Sequence, residues 1–133
     1  MSKKEEKKLD RLAFEVVKLR SRLAKNSEVP VCEICGKPSN TLAPAHIHSR
    51  QFKITRWETD NILCACYYCH MRFMHSEPLG FAEWCRKNLD AWRLRRIGLM
   101  LYQENWNKDY NKIEKKLLRE KQKLEAKIKK NNI

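Results

Sequence analysis

The stretch CEICGKPSNTLAPAHIHSRQFKITRWETDNILCACYYCH, residues 32–70, contains two Cys-x-x-Cys pairs that decide the fold. Cys32 and Cys35 form the first pair, while Cys66 and Cys69 form the second. A two-residue spacer lets one tight turn direct both sulfurs to the same ion, and two such pairs are typical of a tetrahedral four-cysteine zinc site. The spacing therefore predicts a structural zinc that contributes on the order of 10 kcal/mol to folding.

Two neighbouring features refine this prediction. Gly36 follows the first pair, where the turn needs a residue that tolerates a positive φ. Cys64 and Cys85 are left over, and we expect both to be small buried hydrophobic residues rather than ligands. The alternative for the four paired cysteines is a redox pair or free buried thiols.

The charge of the chain indicates an anionic partner. The 133 residues suffice for one domain, and their formal net charge is +13, which favours nucleic acid first and a membrane surface second. No apolar run approaches the ~20 residues that span a bilayer. The first residues, MSKKEEKKLD, lack the apolar segment of a secretory signal. We therefore expect a cytoplasmic protein whose cysteines stay reduced.

The pattern of apolar residues predicts an α+β fold in three parts. Residues 1–26 form a basic N-terminal helix, 31–77 the zinc-bound core, and 78–133 a helical region that packs on that core. In the core, 42–48 and 62–65 are predicted strands, and 67–74 is a predicted helix.

The N-terminal and C-terminal helices each carry one apolar stripe. The first stripe repeats at steps of three and four and consists of Leu9, Leu12, Val16, Leu19 and Leu23. It packs either against the chain itself or against a second copy, which would make a homodimer. The second stripe consists of Trp106, Tyr110, Ile113, Leu117, Leu124 and Ile128.

Between the core and the last helix, Pro78 opens a further predicted helix, because proline is tolerated in a first turn. Its apolar residues at helical spacing predict a core face: Phe81, Trp84, Cys85, Leu89 and Trp92. We expect Gly98 to interrupt the apolar segment that follows.

The histidines point to a second function beside the zinc. All four lie between residues 46 and 75, and four thiolates already complete a zinc site. An imidazole with a pKa near 6.5 can take a proton from water near neutral pH, and one divalent cation can hold a scissile phosphate and its leaving oxygen.

The motifs CEIC, AHIHSR, TRWETDN and CYYCH, in this order, resemble the HNH (ββα-metal) endonucleases. The segment AHIHSRQFKITRWETDNILCACYYCHMRF is similar, more narrowly, to phage recombination endonucleases of the NinG/Rap type. The resemblance covers residues 32–84. It implies a zinc-stapled ββα-metal core and a metal-dependent enzyme that hydrolyses DNA, either duplex or branched, during recombination. If the chain is phage-encoded, the expected location is the host cell cytoplasm.

The resemblance also implies roles for individual residues. His46 would be the general base, and Asn61 would fix the strand-loop-strand geometry or the ring of His46. His70 would bind the catalytic metal, Mg²⁺, Mn²⁺ or another divalent ion. Many HNH enzymes have a second metal ligand where this chain has Ala45.

Two other histidines are candidates for the missing ligand. His48 alternates back to the strand face of His46, while His75 lies five residues after His70, where a straight α-helix would need four. Arg50 and Arg56 are candidate phosphate-binding residues, because guanidinium groups match phosphate oxygens. Arg56 has the alternative of pairing with Glu58 or Asp60.

Two rival functions remain at this point. A zinc-dependent nucleic-acid-binding module without catalysis is the first, and the alanine before His46 favours it. The second is a protein–protein adaptor built on the N-terminal helix, which would need none of His46, Asn61 and His70.

Overall fold

The chain folds around a two-stranded antiparallel sheet, and the computed structural model describes residues 2–133. The elements are α1 (Ser2–Lys25), β1 (Ala43–His46), α2 (Lys53–Arg56), a 3₁₀ turn (Thr59–Asn61), β2 (Ile62–Ala65), a π-helix (Tyr68–His75), α3 (Pro78–Asn88), α4 (Ala91–Met100) and α5 (Tyr110–Lys130). The predicted α+β class is confirmed, because helices dominate and the sheet is small. None of these helices is long and apolar enough to cross a membrane.

Both faces of the sheet are buried. Ala45 pairs with Leu63, and both belong to a core cluster with Cys32 of the first Cys-x-x-Cys turn and with residues of α3. Ile62 and Cys64 point the other way, into a cluster built by α1 and α5. Because successive side chains of a strand alternate between faces, the two clusters share the sheet as a common wall.

The cluster on one side is closed by α1 and α5. The buried stripe of α1 includes Leu9, Leu12, Ala13, Val16 and Val17, and Leu117 of α5 packs against it. Tyr110 Oη donates to Glu6 Oε2 at 3.0 Å, and Lys121 pairs with Glu15 at 3.2 Å, so the two helices run in the same direction. The stripe of α1 therefore packs inside the chain, the first of the two predicted alternatives.

On the opposite side, the π-helix and α3 cover the sheet. The rings of Phe73 and Phe81 meet edge to face with their centroids 5.9 Å apart. Phe81 also stacks on Trp84, at 6.4 Å between centroids. Such aromatic contacts add to the free energy of burying these rings, and the contact between Phe73 and Phe81 joins the π-helix to α3.

The helical region beyond Pro78 differs from the prediction. α3 ends at Asn88, and the Asp90 side chain accepts a hydrogen bond from the Trp92 N–H at 2.7 Å, which caps a new helix. The change of axis takes Trp92 out of the predicted core, and 67 % of it is exposed. Gly98 does not interrupt the helix formed by the apolar segment, because it lies inside α4.

Candidate metal centre and histidine site

The four paired cysteines converge on one point. The sulfurs of Cys32, Cys35, Cys66 and Cys69 all lie within 4.8 Å of one another, and those of Cys35 and Cys66 are 3.9 Å apart. Zinc–sulfur bonds of about 2.3 Å in a tetrahedron place sulfurs about 3.8 Å apart. The cluster therefore fits a metal ion of this kind, as the spacing predicts.

The first Cys-x-x-Cys turn is shaped by backbone hydrogen bonds. The N–H groups of Ile34 and Cys35 each donate to Cys32 Sγ at 3.4 Å. Gly36 adopts the predicted positive φ, 81°, and donates its N–H to the Cys32 carbonyl at 2.8 Å. Burial raises the pKa of the Cys32 thiol, but the N–H donors around its sulfur outweigh burial and lower the pKa overall. A thiolate at Cys32 is what a metal ligand requires.

Cys64 and Cys85 do not join the cluster. Both are buried, and burial raises the pKa of Cys64 to about 12 and that of Cys85 to about 11. They remain neutral thiols at physiological pH and pack in the two core clusters. Their predicted role as small hydrophobic residues agrees with this environment.

Arg20 ties the first cysteine turn to the sheet, which the sequence reasoning missed. Its guanidinium donates to both carboxylate oxygens of Glu33, at 2.9 and 2.8 Å, and to the Ile62 carbonyl at 2.6 Å. Glu33 in turn accepts the Cys64 N–H at 2.9 Å. This two-point contact is the geometry in which arginine binds carboxylates most strongly. The only sequence signal was an arginine at the end of an amphipathic helix.

The second cysteine pair leads directly into a π-helix that carries two histidines. Its i to i+5 repeat places residues five apart on one face, where an α-helix would place residues four apart. Accordingly, His70 Nε2 lies 3.2 Å from His75 Nε2, with ring centroids 4.7 Å apart. Burial, and then the charge of His75, lower the pKa of His70, so its ring is neutral at pH 7. On a straight α-helix a spacing of five would put the two rings on different faces, and the π-helix instead brings them together.

Asn61 fixes the loop that follows β1. Its side chain is fully buried and accepts the His48 N–H at 2.8 Å, while its Nδ2 donates to the carbonyls of His48 and Thr55, both at 3.1 Å. Three hydrogen bonds satisfy this buried amide almost completely. Of the two predicted roles for Asn61, the geometry corresponds to fixing the loop, and the ring of His46 is held elsewhere.

His46 lies at the end of β1, opposite Ile62, on the α1 side of the sheet. Its Nε2 is 3.1 Å from the Arg56 carbonyl oxygen, which can only accept, so Nε2 carries the proton and Nδ1 holds the free lone pair. Burial lowers the pKa of His46, against the smaller opposing effect of its bond to Arg56. The ring is therefore neutral near pH 7.

His48 does not share a strand face with His46, because β1 ends at His46 and the alternation stops there. Instead His48 lines a groove together with His75, so it lies on the side of the π-helix. Ala45, at the position of the missing ligand, is fully buried under the same layer. The structure thus brings His48, His70 and His75 to one side of the sheet and His46 to the other.

The two candidate phosphate-binding arginines are both near Asp10 of α1. Arg56 donates to both oxygens of Asp10, at 2.9 and 2.7 Å, and lies 3.8 Å from Glu6, with 12 % of its side chain exposed. Its guanidinium is therefore occupied by α1 carboxylates, not by the predicted alternatives Glu58 and Asp60. Arg50 lies 3.7 Å from Asp10 and is 64 % exposed, so it stays accessible. Nothing local in the sequence links Arg56 to a carboxylate 46 residues away.

Comparison of the chain with protein-family models, with curated proteins and with solved structures finds no match. Within residues 2–133, the four cysteines are the only group of three or more His, Cys, Asp or Glu side chains close enough together to hold a metal ion. The histidine pair therefore provides two candidate metal ligands without a third among residues 2–133.

Proposed function

We propose that the chain is a metal-dependent nuclease that hydrolyses phosphodiester bonds of DNA. The observation that carries this proposal is the His70–His75 pair, whose Nε2 atoms face each other at 3.2 Å on a helix that starts at the four-cysteine cluster. The net charge of +13 supports a polyanionic substrate. The resemblance of the motifs to HNH endonucleases supports the same reaction class.

Two metal sites with different chemistry belong to this proposal. Zinc suits the four thiolates and has a structural role, since cysteines fill all four tetrahedral positions. Two imidazoles without a carboxylate suit a transition-metal ion better than Mg²⁺, which prefers oxygen ligands. When bound there, a divalent cation supplies positive charge to the scissile phosphate and to the leaving oxygen.

We assign the proton-accepting role to His48. It lies on the same side of the sheet as the histidine pair, and burial lowers its pKa, so a neutral ring is available at pH 7. Asn61 holds the backbone of His48 on both its N–H and its carbonyl, which limits how far the ring can move from the attacking water. The role of base that the resemblance implies for His46 is the alternative.

Cleavage of supercoiled plasmid by purified protein, with Mn²⁺, Ni²⁺, Mg²⁺ or EDTA, tests the proposal. His70→Ala and His75→Ala should raise the Mn²⁺ concentration needed for half-maximal cleavage, with partial recovery at high Mn²⁺, because each removes a ligand. His48→Ala should instead lower the rate at saturating metal by roughly 10²-fold to 10⁴-fold. Met71→Ala is the matched control, since Met71 is exposed on the same π-helix between the two histidines.

The outcomes separate the assignments. If His46→Ala removes activity and His48→Ala does not, the base is His46. If neither His70→Ala nor His75→Ala alters metal dependence, the metal assignment is wrong.

A nucleic-acid-binding module without catalysis is the second candidate. It is favoured by the buried Ala45 and by the absence, within the described residues, of a third ligand beside the histidine pair. Wild-type protein that binds DNA but cuts neither duplex, nicked nor branched substrates with any of these ions would establish it.

A further inference from the structure

A groove of about 470 Å³ opens beside the histidine pair, between the loop after β1, the π-helix, α3 and α4. Much of its lining is apolar and includes Ile47, Met74, Phe81 and Leu94. His48 and His75 belong to the same lining, so the groove is continuous with the site of the proposed hydrolysis. Its volume lies within the range of about 300–1,000 Å³ that is usual for sites that enclose small organic groups.

The helix α4, which contributes Leu94 and Gly98 to this lining, also carries an exposed arginine. Arg95 follows Leu94 in α4 and precedes Gly98 by three residues, a spacing that puts two helical side chains on neighbouring positions of one face. The nearby arginines of α4 form hydrogen bonds within the protein. Arg93 donates to the Asp60 carbonyl at 2.7 Å, and Arg96 donates to two carboxylates at 3.0 Å. Arg95 is exposed and enters no ion pair among residues 2–133.

We propose that this groove receives a nucleobase turned out of a DNA duplex, with the flanking backbone phosphate between Arg95 and the histidines. The inference rests on the proposed function and specifies its substrate as DNA with an unpaired nucleotide. An extruded base has two apolar faces and is enclosed by apolar side chains, while its phosphate needs cationic or N–H donors nearby. The groove has an apolar lining with two imidazoles on it, and the helix α4 that lines it carries one guanidinium with no ion pair among residues 2–133.

Two positions allow the groove to be filled without disturbing the core. A Cβ built at Gly98 meets no atom within 4 Å, so a larger side chain there extends into open space. Ala82 of α3 lines the groove from the facing helix and is exposed. Gly98→Leu and Ala82→Leu therefore obstruct the same space from two walls. Leu99→Phe is the matched control, since Leu99 is the next residue of α4, is exposed and does not line the groove.

The test measures binding in EDTA, without cleavage, to a duplex with a single-nucleotide bulge that carries either a base or an abasic sugar. Wild type should bind the base-containing bulge about tenfold more tightly, in the range found for one stacked base. Gly98→Leu and Ala82→Leu should each reduce this ratio to near one, while Leu99→Phe retains it. Arg95→Gln should weaken binding to both duplexes equally. A 2-aminopurine at the bulge should change its fluorescence only with proteins whose groove is open.

Equal binding of the two bulged duplexes by wild type would overturn the inference. So would a base preference that survives both groove-filling substitutions. If the preference holds but no metal supports cleavage, the groove inference stands and the nuclease proposal fails. If cleavage occurs without the preference, only the groove inference fails.

Discussion

At the scale of single residues, His46 has a structural role that its environment makes testable. The ring is half-buried, it donates to the Arg56 carbonyl, and burial lowers its pKa below the ordinary value of about 6.5. In the unfolded chain the ring takes up a proton at higher pH than in the folded chain. Between these two pKa values the unfolded state therefore binds more protons, and the free energy of unfolding falls as the pH falls.

We expect the wild type to lose stability on acidification below about pH 6.5, where the unfolded ring begins to protonate. His46→Gln keeps an N–H donor for Arg56 and cannot titrate, so its stability should decline less over the same interval. Urea unfolding of both proteins between pH 7.5 and pH 5.5 measures the difference. If the stability of the two proteins declines in parallel with pH, the pKa of His46 is the same in the folded and the unfolded chain, and the prediction is wrong.

Much of the residue-level site could be predicted because it depends on local spacing. The two Cys-x-x-Cys turns and the positive φ of Gly36 are properties of a few consecutive residues. The partner of Arg56 could not be predicted, since Asp10 reaches it only after α1 has packed on the sheet. The same limit applied to His48, whose side of the sheet depends on β1 ending at His46.

At the scale of elements, the π-helix depends on the cysteine cluster at its start. Cys66 and Cys69 lie at its start, in one sulfur cluster with the first Cys-x-x-Cys turn, and the His70 N–H donates to the Cys66 carbonyl at 2.9 Å. A helix of eight residues is too short to be stable alone in water. Its unusual repeat therefore needs both the metal-binding cluster and the packing of Phe73 on α3.

We expect Cys69→Ser to lose the bound zinc and to destabilise the fold by several kcal/mol, a part of the roughly 10 kcal/mol that a structural zinc contributes. Cys85→Ser is the control, since Cys85 is buried outside the cluster and should leave the zinc content unchanged. Elemental analysis and thermal unfolding measure both effects. Full zinc content and an unchanged Tm in Cys69→Ser would contradict the structural assignment.

The helix boundaries show where sequence patterns stop being informative. An apolar residue at every third or fourth position predicted one core face from Phe81 to Trp92, but the capping side chain of Asp90 begins a second helix and turns Trp92 outward. The π-helix was missed for a related reason. A search for apolar periodicity assumes the repeat of an α-helix or of a strand, and the π-helix follows neither repeat.

At the scale of the whole molecule, some positively charged side chains form ion pairs and others do not. Several lysines pair with carboxylates across helices, such as Lys121 of α5 with Glu15 of α1 at 3.2 Å. Others on α5 are exposed and enter no ion pair within residues 2–133, among them Lys112, Lys123 and Lys127. These free lysines are the ones that can neutralise DNA phosphates.

We expect DNA affinity to fall steeply with salt, because bound lysines release counterions from the phosphates. Replacing Lys112, Lys123 and Lys127 by glutamine should lower the log–log salt slope by about one for each phosphate that a lysine no longer neutralises. Lys87→Gln is the control, since Lys87 already lies 3.8 Å from Glu83. Point substitutions are needed because deleting α5 would remove Leu117 from the core. An unchanged slope in the triple variant would make α5 a scaffold only.

Because α1 packs against α5, the first helix to be synthesised has to wait for the last one. The four cysteines and both strands emerge well before α5, so the metal-binding half can assemble first. Until α5 supplies Leu117, Leu9 of α1 and Ile62 of the sheet lack part of their apolar cover. Such a half-covered intermediate is the kind of nascent chain that chaperones recognise. We therefore expect the greatest tendency to aggregate during synthesis, in the interval before the last helix arrives.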